Sequence, residues 1–129
     1  MQRLFLIFSH TLAPDQIQEA KNSLHCEDII YLPDVLQRKW SNVDPVGKLD
    51  EHLMAEFITY LQENTLKNDY VLIQGDFGMC YALVQWCRVN GRIPIYSTTY
   101  RSSTDKNIEE GKIQKTQVFK HINFRRYPI

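Results

Sequence analysis

The sequence predicts an α/β domain with a mostly parallel sheet between two helical layers, a small Rossmann-like three-layer arrangement. Three observations support this prediction. Short apolar runs at residues 4–8, 28–32 and 70–74 indicate buried strands. Segments with helical periodicity separate these runs, which is the order that βαβ crossovers require. The chain has 129 residues, a length that suits a single domain over residues 1–129.

Four helices are predicted between and beside these strands. Pro14 begins the first, because the missing N–H of proline costs nothing in a first helical turn. Apolar residues recur every four positions through residues 48–64, which predicts a long helix with one buried stripe. The other two helices span residues 34–40 and 79–90, and Gly91 supplies a C-cap signal for the last.

The second half of the chain is predicted to add two strands. Residues 92–96 form the fourth strand, and Pro94 within it favours an edge position or a strand start. Residues 117–127 alternate polar and apolar side chains and form a last strand near an edge. Residues 102–115, between them, are polar and are predicted to be mobile.

Charge and composition narrow the classes of partner. Lys and Arg total 15 and Asp and Glu total 15, so the net charge is zero and no global basic field attracts duplex nucleic acid or a membrane. The apolar run at residues 4–8 is too short for a signal sequence or a membrane span. The cysteines Cys26, Cys80 and Cys87 form no CxxC pair and are predicted to be reduced and buried. We therefore expect a cytoplasmic protein with no cofactor and no metal site.

Polar or glycine-rich segments follow three of the predicted strands. They are residues 9–11, 74–78 and 97–101. Ligands of parallel α/β sheets bind just beyond the carboxyl ends of the strands, so we expect these segments to share one edge. Together they would offer hydroxyl donors, backbone N–H groups and one fixed positive charge, a combination that suits a phosphodiester. The sequence GDFG does not match a dinucleotide or P-loop fingerprint.

The candidate catalytic residues are Ser9, His10 and Arg101. A guanidinium can fork onto a phosphate, a hydroxyl can donate to it, and an imidazole exchanges protons near neutral pH. His10 is therefore the candidate general acid or base. The candidate ligand-binding residues are Thr11, Gln74, Gly75, Asp76, Phe77, Gly78, Thr98 and Thr99.

Structural roles stay open for several of these residues. Ser9 or Thr11 could cap the first helix instead of binding a ligand. Gly75 and Gly78 could serve only a tight turn. For Asp76, capping the fourth helix is favoured over catalysis.

The histidines and terminal arginines also have plainer interpretations. His10 could be a structural histidine, although its place at a strand end favours function. His25, His52 and His121 are interpreted as structural, because no partner stands at a suitable spacing. Arg125 and Arg126 could be solvated charges that protect a sheet edge.

Several motifs in a fixed order resemble one protein family. The motifs are LFLIFSH at residues 4–10, IYLP at 30–33 with LQ at 36–37 and WS at 40–41, DYVLIQGDFG at 69–78, PIYSTT at 94–99 with Arg101, and VF at 118–119 with His121 and FR at 124–125. Together they resemble the small stand-alone CRISPR-associated proteins of the Csx type that act as ring nucleases. The resemblance extends over nearly the whole chain.

This resemblance implies a fold and an activity. The fold would be a minimal version of the CARF domain, the Rossmann-like domain that senses cyclic oligoadenylates in type III CRISPR antiviral defence. The activity would be that of a phosphodiesterase, which cleaves cyclic tetraadenylate without metal through attack of a ribose 2′-hydroxyl. A homodimer would hold the ring across its two-fold axis. The alternatives are a non-catalytic sensor or sequestering protein, an enzyme that binds nucleotides or sugar phosphates, and a protein-interaction module.

Overall fold

The computed structural model describes the backbone of residues 2–109 and 112–128, and the side chains of residues 2–100 and 120–128. Within these residues the chain forms an α/β domain with a five-stranded sheet and four helices. The elements in chain order are β1 Gln2–Ile7, α1 Pro14–Asn22, β2 Cys26–Ile30, α2 Asp34–Ser41, α3 Glu51–Asn64, β3 Tyr70–Ile73, α4 Phe77–Asn90, β4 Ile93–Glu109 and β5 Lys112–Arg126.

The predicted mostly parallel sheet is confirmed. Its strand order is β2-β1-β3-β4-β5, with parallel pairing throughout except between β4 and the edge strand β5. The register pairs Ile7 with Ile73, so β1 and β3 end at the same level. Leu72 pairs with Ile95, so the next residue of β4, Tyr96, lies at the level where β1 and β3 end. Strand β4 continues beyond that level. None of the helices in the described residues has the length and apolar character that crossing a bilayer requires.

Apolar side chains are buried on both faces of the sheet, which explains the uninterrupted apolar runs of β1 and β3. Ile7 and Ile73 belong to a buried cluster with side chains of α2, α3 and α4. Leu6 and Leu72, their neighbours along the strands, belong to a second cluster with side chains of α1. Successive residues of a strand face opposite sides, so each strand contributes to both clusters.

The ends of α4 follow the expected chemistry. The Asp76 carboxylate accepts a hydrogen bond from the Met79 backbone N–H at 3.0 Å, which confirms Asp76 as the N-cap. The helix therefore begins at Phe77, earlier than predicted. Gly91 ends it with φ of 77°, a left-handed conformation that favours glycine.

The suggested capping of α1 by Ser9 or Thr11 is wrong. The N-cap is Ala13, whose backbone N–H donates to the Gln16 side-chain oxygen at 2.8 Å. A glutamine in the first turn reaches back to this N–H and leaves the chain before Ala13 without a capping role.

The hairpin of β4 and β5 differs from the prediction. We expected β4 to end at residue 96 and residues 102–115 to be mobile, but β4 continues to Glu109 and the two strands pair antiparallel, as at Thr104 and Thr116. The hydrogen bonds of a β-ladder join backbone groups and form equally well between polar residues. A polar strand therefore lacks the apolar pattern on which the prediction relied. Pro94 lies at the start of β4, and β5 is the predicted edge strand.

Candidate functional site

Helix α2 holds the chain after β1 beside the chain after β3. The Gln37 side-chain amide donates to the Ser9 carbonyl oxygen at 3.2 Å. Nε1 of Trp40 donates to the Gln74 carbonyl oxygen at 2.8 Å. Gln37 and Trp40 are one helical turn apart and share a face of α2, so one rigid element fixes both segments.

Gln74 joins these segments to β4. Its backbone N–H donates to the Ile7 carbonyl oxygen at 3.2 Å, and its side-chain Oε1 accepts from the Ser97 N–H at 2.7 Å. The structure thus brings Ser9, Gln74 and Ser97 to one edge of the sheet, beyond the last residues of β1 and β3. We call this region, with residues 9–11, 74–78 and 97–101, the carboxyl edge.

Trp40 accounts for the glycine at position 75. A Cβ atom added there would lie 2.6 Å from Nε1 of Trp40, far inside van der Waals contact. The close approach that Gly75 permits is therefore that of the buried indole. Gly78 lies in the first turn of α4, where an added Cβ would meet the Leu49 side chain at 3.1 Å.

A hollow of about 550 Å³ lies at the carboxyl edge, between α4, β4 and the last residues of the chain. Three of the predicted ligand-binding residues, Gln74, Gly75 and Phe77, line it. Most of the remaining lining was not anticipated from the sequence and comprises Cys80, Tyr81, Val84, Gln85, Tyr96 and Tyr127. We call it the aromatic hollow.

One wall of the aromatic hollow is fixed by internal contacts. The rings of Tyr96 and Tyr127 lie 4.8 Å apart at an angle of 53°. The Tyr127 hydroxyl donates to the Ile73 carbonyl oxygen at 2.6 Å. Burial raises the pKa of Tyr127 to about 12, so the phenol stays neutral. Cζ of Arg125 lies 5.9 Å from the centre of the Tyr96 ring and places a positive charge beside this wall.

The other wall belongs to α4 and is exposed. Phe77 and Tyr81 are one turn apart on the helix and are 93% and 70% exposed. Large aromatic groups left in water on one patch are typical of a contact surface. Between these two walls, burial raises the pKa of Cys80 to about 11, so its thiol is protonated at neutral pH and is not an activated nucleophile.

A buried polar network lies on the α1 side of the same edge. Ser97 Oγ is 2.5 Å from Nδ1 of His121, and Nε2 of His121 is 2.5 Å from a Glu19 carboxylate oxygen. Glu19 also accepts from the Phe124 N–H at 2.8 Å. Both ring nitrogens of His121 therefore have a hydrogen-bonding partner, Ser97 at Nδ1 and Glu19 at Nε2.

This network anchors the hairpin to α1. The order Ser, His, carboxylate is that of hydrolytic triads, but Ser97 is only 8% exposed and its hydroxyl also accepts from the Gln16 amide. The sequence offers no partner for His121, whereas the structure provides two. Glu19 lies so far away along the chain that no local spacing links it to His121.

Two of the predicted site residues on the first segment face solvent. His10 is exposed, and its ring packs edge-on against Phe8 with centroids 5.4 Å apart. Thr11 is exposed as well, and neither residue lines the aromatic hollow in the described part of the chain.

The predicted residues of the third segment lie on β4. The Thr98 hydroxyl donates to the Asn123 carbonyl oxygen at 3.0 Å, so it is engaged across the hairpin. Thr99 is exposed. The backbone of Arg101 pairs with Phe119, and the side chain of Arg101, a predicted catalytic group, lies outside the described residues. Among the side chains that are described, no cluster of three or more His, Cys, Asp or Glu is arranged to hold a metal ion.

Comparison with known proteins places the chain in a family. Residues 2–125 match the Uncharacterized protein MJ1673 family. The chain belongs to this family. It is similar to Uncharacterized protein MJ1673 of Methanocaldococcus jannaschii, with 44% identity over 128 residues that cover 98% of each chain. No solved structure matches it.

Proposed function

We propose that this protein is a Rossmann-like, CARF-type phosphodiesterase that cleaves cyclic tetraadenylate without a metal ion, in type III CRISPR antiviral signalling. The observation that supports it is the convergence of the three segments through Gln74, beside a hollow large enough for a nucleotide. Sheets of this class bind ligands at this edge. The identity of the ring comes from the resemblance in the sequence motifs.

The proposed reaction uses a nucleophile that the substrate carries. The ribose 2′-hydroxyl attacks its adjacent phosphorus, an O2′–P bond forms and the P–O5′ bond breaks. A base takes the 2′-hydroxyl proton, and an acid protonates the departing 5′ oxygen. The product is a linear oligonucleotide with a 2′,3′-cyclic phosphate. Holding the hydroxyl in line with the scissile bond contributes about 7–11 kcal/mol in favourable cases.

Different residues of the carboxyl edge are proposed for proton transfer and for phosphate binding. His10, exposed at the edge, is the acid or base. Arg101, the Ser9 hydroxyl and the Gly75 backbone N–H bind the phosphate and stabilise the charge that develops on it, and one such donor is worth about 3 kcal/mol. Because the chain carries no net charge, the binding of a tetra-anion depends on these local groups. In the proposed homodimer each copy contributes its own Arg101 to binding of the ring, which lies across the two-fold axis.

A cleavage assay tests the proposal. We expect the protein to convert cyclic tetraadenylate into linear products with 2′,3′-cyclic phosphate ends when a chelator is in excess, as measured by chromatography and mass spectrometry. Cyclic triadenylate and cyclic hexaadenylate are the matched control substrates.

Each alternative outcome has a separate meaning. A ring that binds but stays intact would identify a sensor or sequestering protein and contradict the enzymatic proposal. Loss of cleavage in chelator would overturn the metal-independent mechanism. Absence of both binding and cleavage would refute the proposed function.

A further inference from the structure

We propose that the aromatic hollow is a stacking site for a purine base, the adenine of a nucleotide whose phosphate lies at the carboxyl edge. The inference rests on the proposed function for the kind of base, and on the geometry of the hollow for the mode of binding. It assigns a recognition role to Tyr81, Tyr96 and Tyr127, which the phosphate chemistry does not use.

The size and lining of the hollow suit a nucleoside. Its volume is about 550 Å³, and small-molecule sites span roughly 300–1,000 Å³. Such sites are mostly apolar and carry a few polar groups that orient the ligand. Here the Gln85 side chain, fixed by a hydrogen bond from Arg88 at 3.2 Å, and the Tyr81 hydroxyl supply polar groups at the hollow.

The two walls have complementary properties for stacking. The wall of Tyr96 and Tyr127 is held in place by ring packing and by the hydrogen bond to Ile73, so a base binds to a preformed surface. The wall of Phe77 and Tyr81 is exposed, so its rings are available for contact with the opposite face of a base. A purine presents a larger π surface than a pyrimidine and gains more from aromatic contact on both faces.

Charge next to the hollow favours a nucleotide over an apolar ligand. The Arg125 guanidinium lies over the Tyr96 ring, 5.9 Å from its centre. Gly75 and Phe77, which line the hollow, belong to the segment that is proposed to bind phosphate. A base in the hollow therefore has its sugar and phosphate directed to groups that suit an anion.

Substitutions at Tyr81 test the inference. Tyr81 is exposed, so its replacement leaves the core intact. We expect Tyr81→Ala to weaken binding of adenosine 5′-monophosphate by roughly 5–150-fold, the range for one aromatic stack. Tyr81→Phe keeps the ring and should bind nearly as wild type, whereas Tyr81→Leu should lose most of the affinity. Leu66→Ala removes an exposed apolar side chain just before β3, at the opposite end of the sheet, and is the matched control.

The probes are adenosine 5′-monophosphate, ribose 5-phosphate, which lacks a base, and cyclic tetraadenylate, each measured by calorimetric titration. The wild type should prefer adenosine 5′-monophosphate to ribose 5-phosphate, and Tyr81→Ala should remove that preference. If cyclic tetraadenylate binds wild type and Tyr81→Ala equally and both proteins cleave it, the stacking site is wrong and the proposed function stands. If binding of adenosine 5′-monophosphate depends on Tyr81 but cyclic tetraadenylate does not bind, the stacking site stands and the proposed function fails. Binding of neither adenine ligand to the wild type overturns both.

Discussion

Replacing His10 with alanine is expected to slow the cleavage of cyclic tetraadenylate by about 10²–10⁴-fold, the contribution of a positioned general acid or base. Ring affinity should change little, because phosphate binding is assigned to other groups. The His10 ring is exposed, so the substitution should leave folding stability within about 0.5 kcal/mol. Single-turnover cleavage and direct ring binding measure the two effects separately.

His52→Ala is the control for this experiment. His52 is also exposed, but it lies in the first turn of α3 and not on the carboxyl edge. Its replacement should leave the cleavage rate unchanged. A wild-type rate for His10→Ala would assign the proton transfer to another group, and an equal loss of rate and affinity would make His10 a binding residue.

Replacing Gly75 with alanine is expected to destabilise the protein by about 1–3 kcal/mol, the usual cost of overpacking. The new Cβ would lie 2.6 Å from Nε1 of Trp40, so the indole must shift. Trp40 is buried, packs on Phe57 with ring centroids 5.1 Å apart and donates to the Gln74 carbonyl, so its movement disturbs both core and carboxyl edge. Urea denaturation measures the loss, and ring binding should weaken in the same variant.

Gly78→Ala is the comparison, because it adds the same methyl group one turn away. There the nearest atom is Cδ2 of Leu49, at 3.1 Å, at the end of a flexible side chain. Removing a glycine from a helix stabilises it by about 0.5–1 kcal/mol, which offsets the contact, so we expect little net change. Equal stability of Gly75→Ala and wild type would contradict the role of Trp40 as the element that packs against the carboxyl edge.

Local patterns were sufficient to predict the central strands and most helices. The apolar runs of β1 and β3 appear because both faces of each strand are covered, and α3 shows its buried stripe at residues 57 and 61. Asp76 could be identified as a cap because its carboxylate acts within one turn of its own position. Such signals depend only on neighbours in the sequence.

The features that were missed depend on distant residues. The hairpin of β4 and β5 is built from polar residues whose partners lie on the other strand, so no hydrophobic period marks it. The wall of the aromatic hollow brings Tyr96 of β4 against Tyr127, which follows β5. Glu19 meets His121 only after α1 packs on β5. The first two segments of the edge were predicted because parallel topology alone brings the ends of β1 and β3 together, whereas the third segment lies within β4 and does not follow it as expected.

The location of ligand binding is the most direct test of the proposed site. In a titration of ¹⁵N-labelled protein with cyclic tetraadenylate, we expect the largest amide shift changes at residues 9–11, 74–78 and 97–100. The opposite end of the sheet, where Arg3 pairs with Asp69 at 2.6 Å, should change little. Shift changes concentrated around Arg3 and Asp69, with the carboxyl edge unaffected, would contradict it.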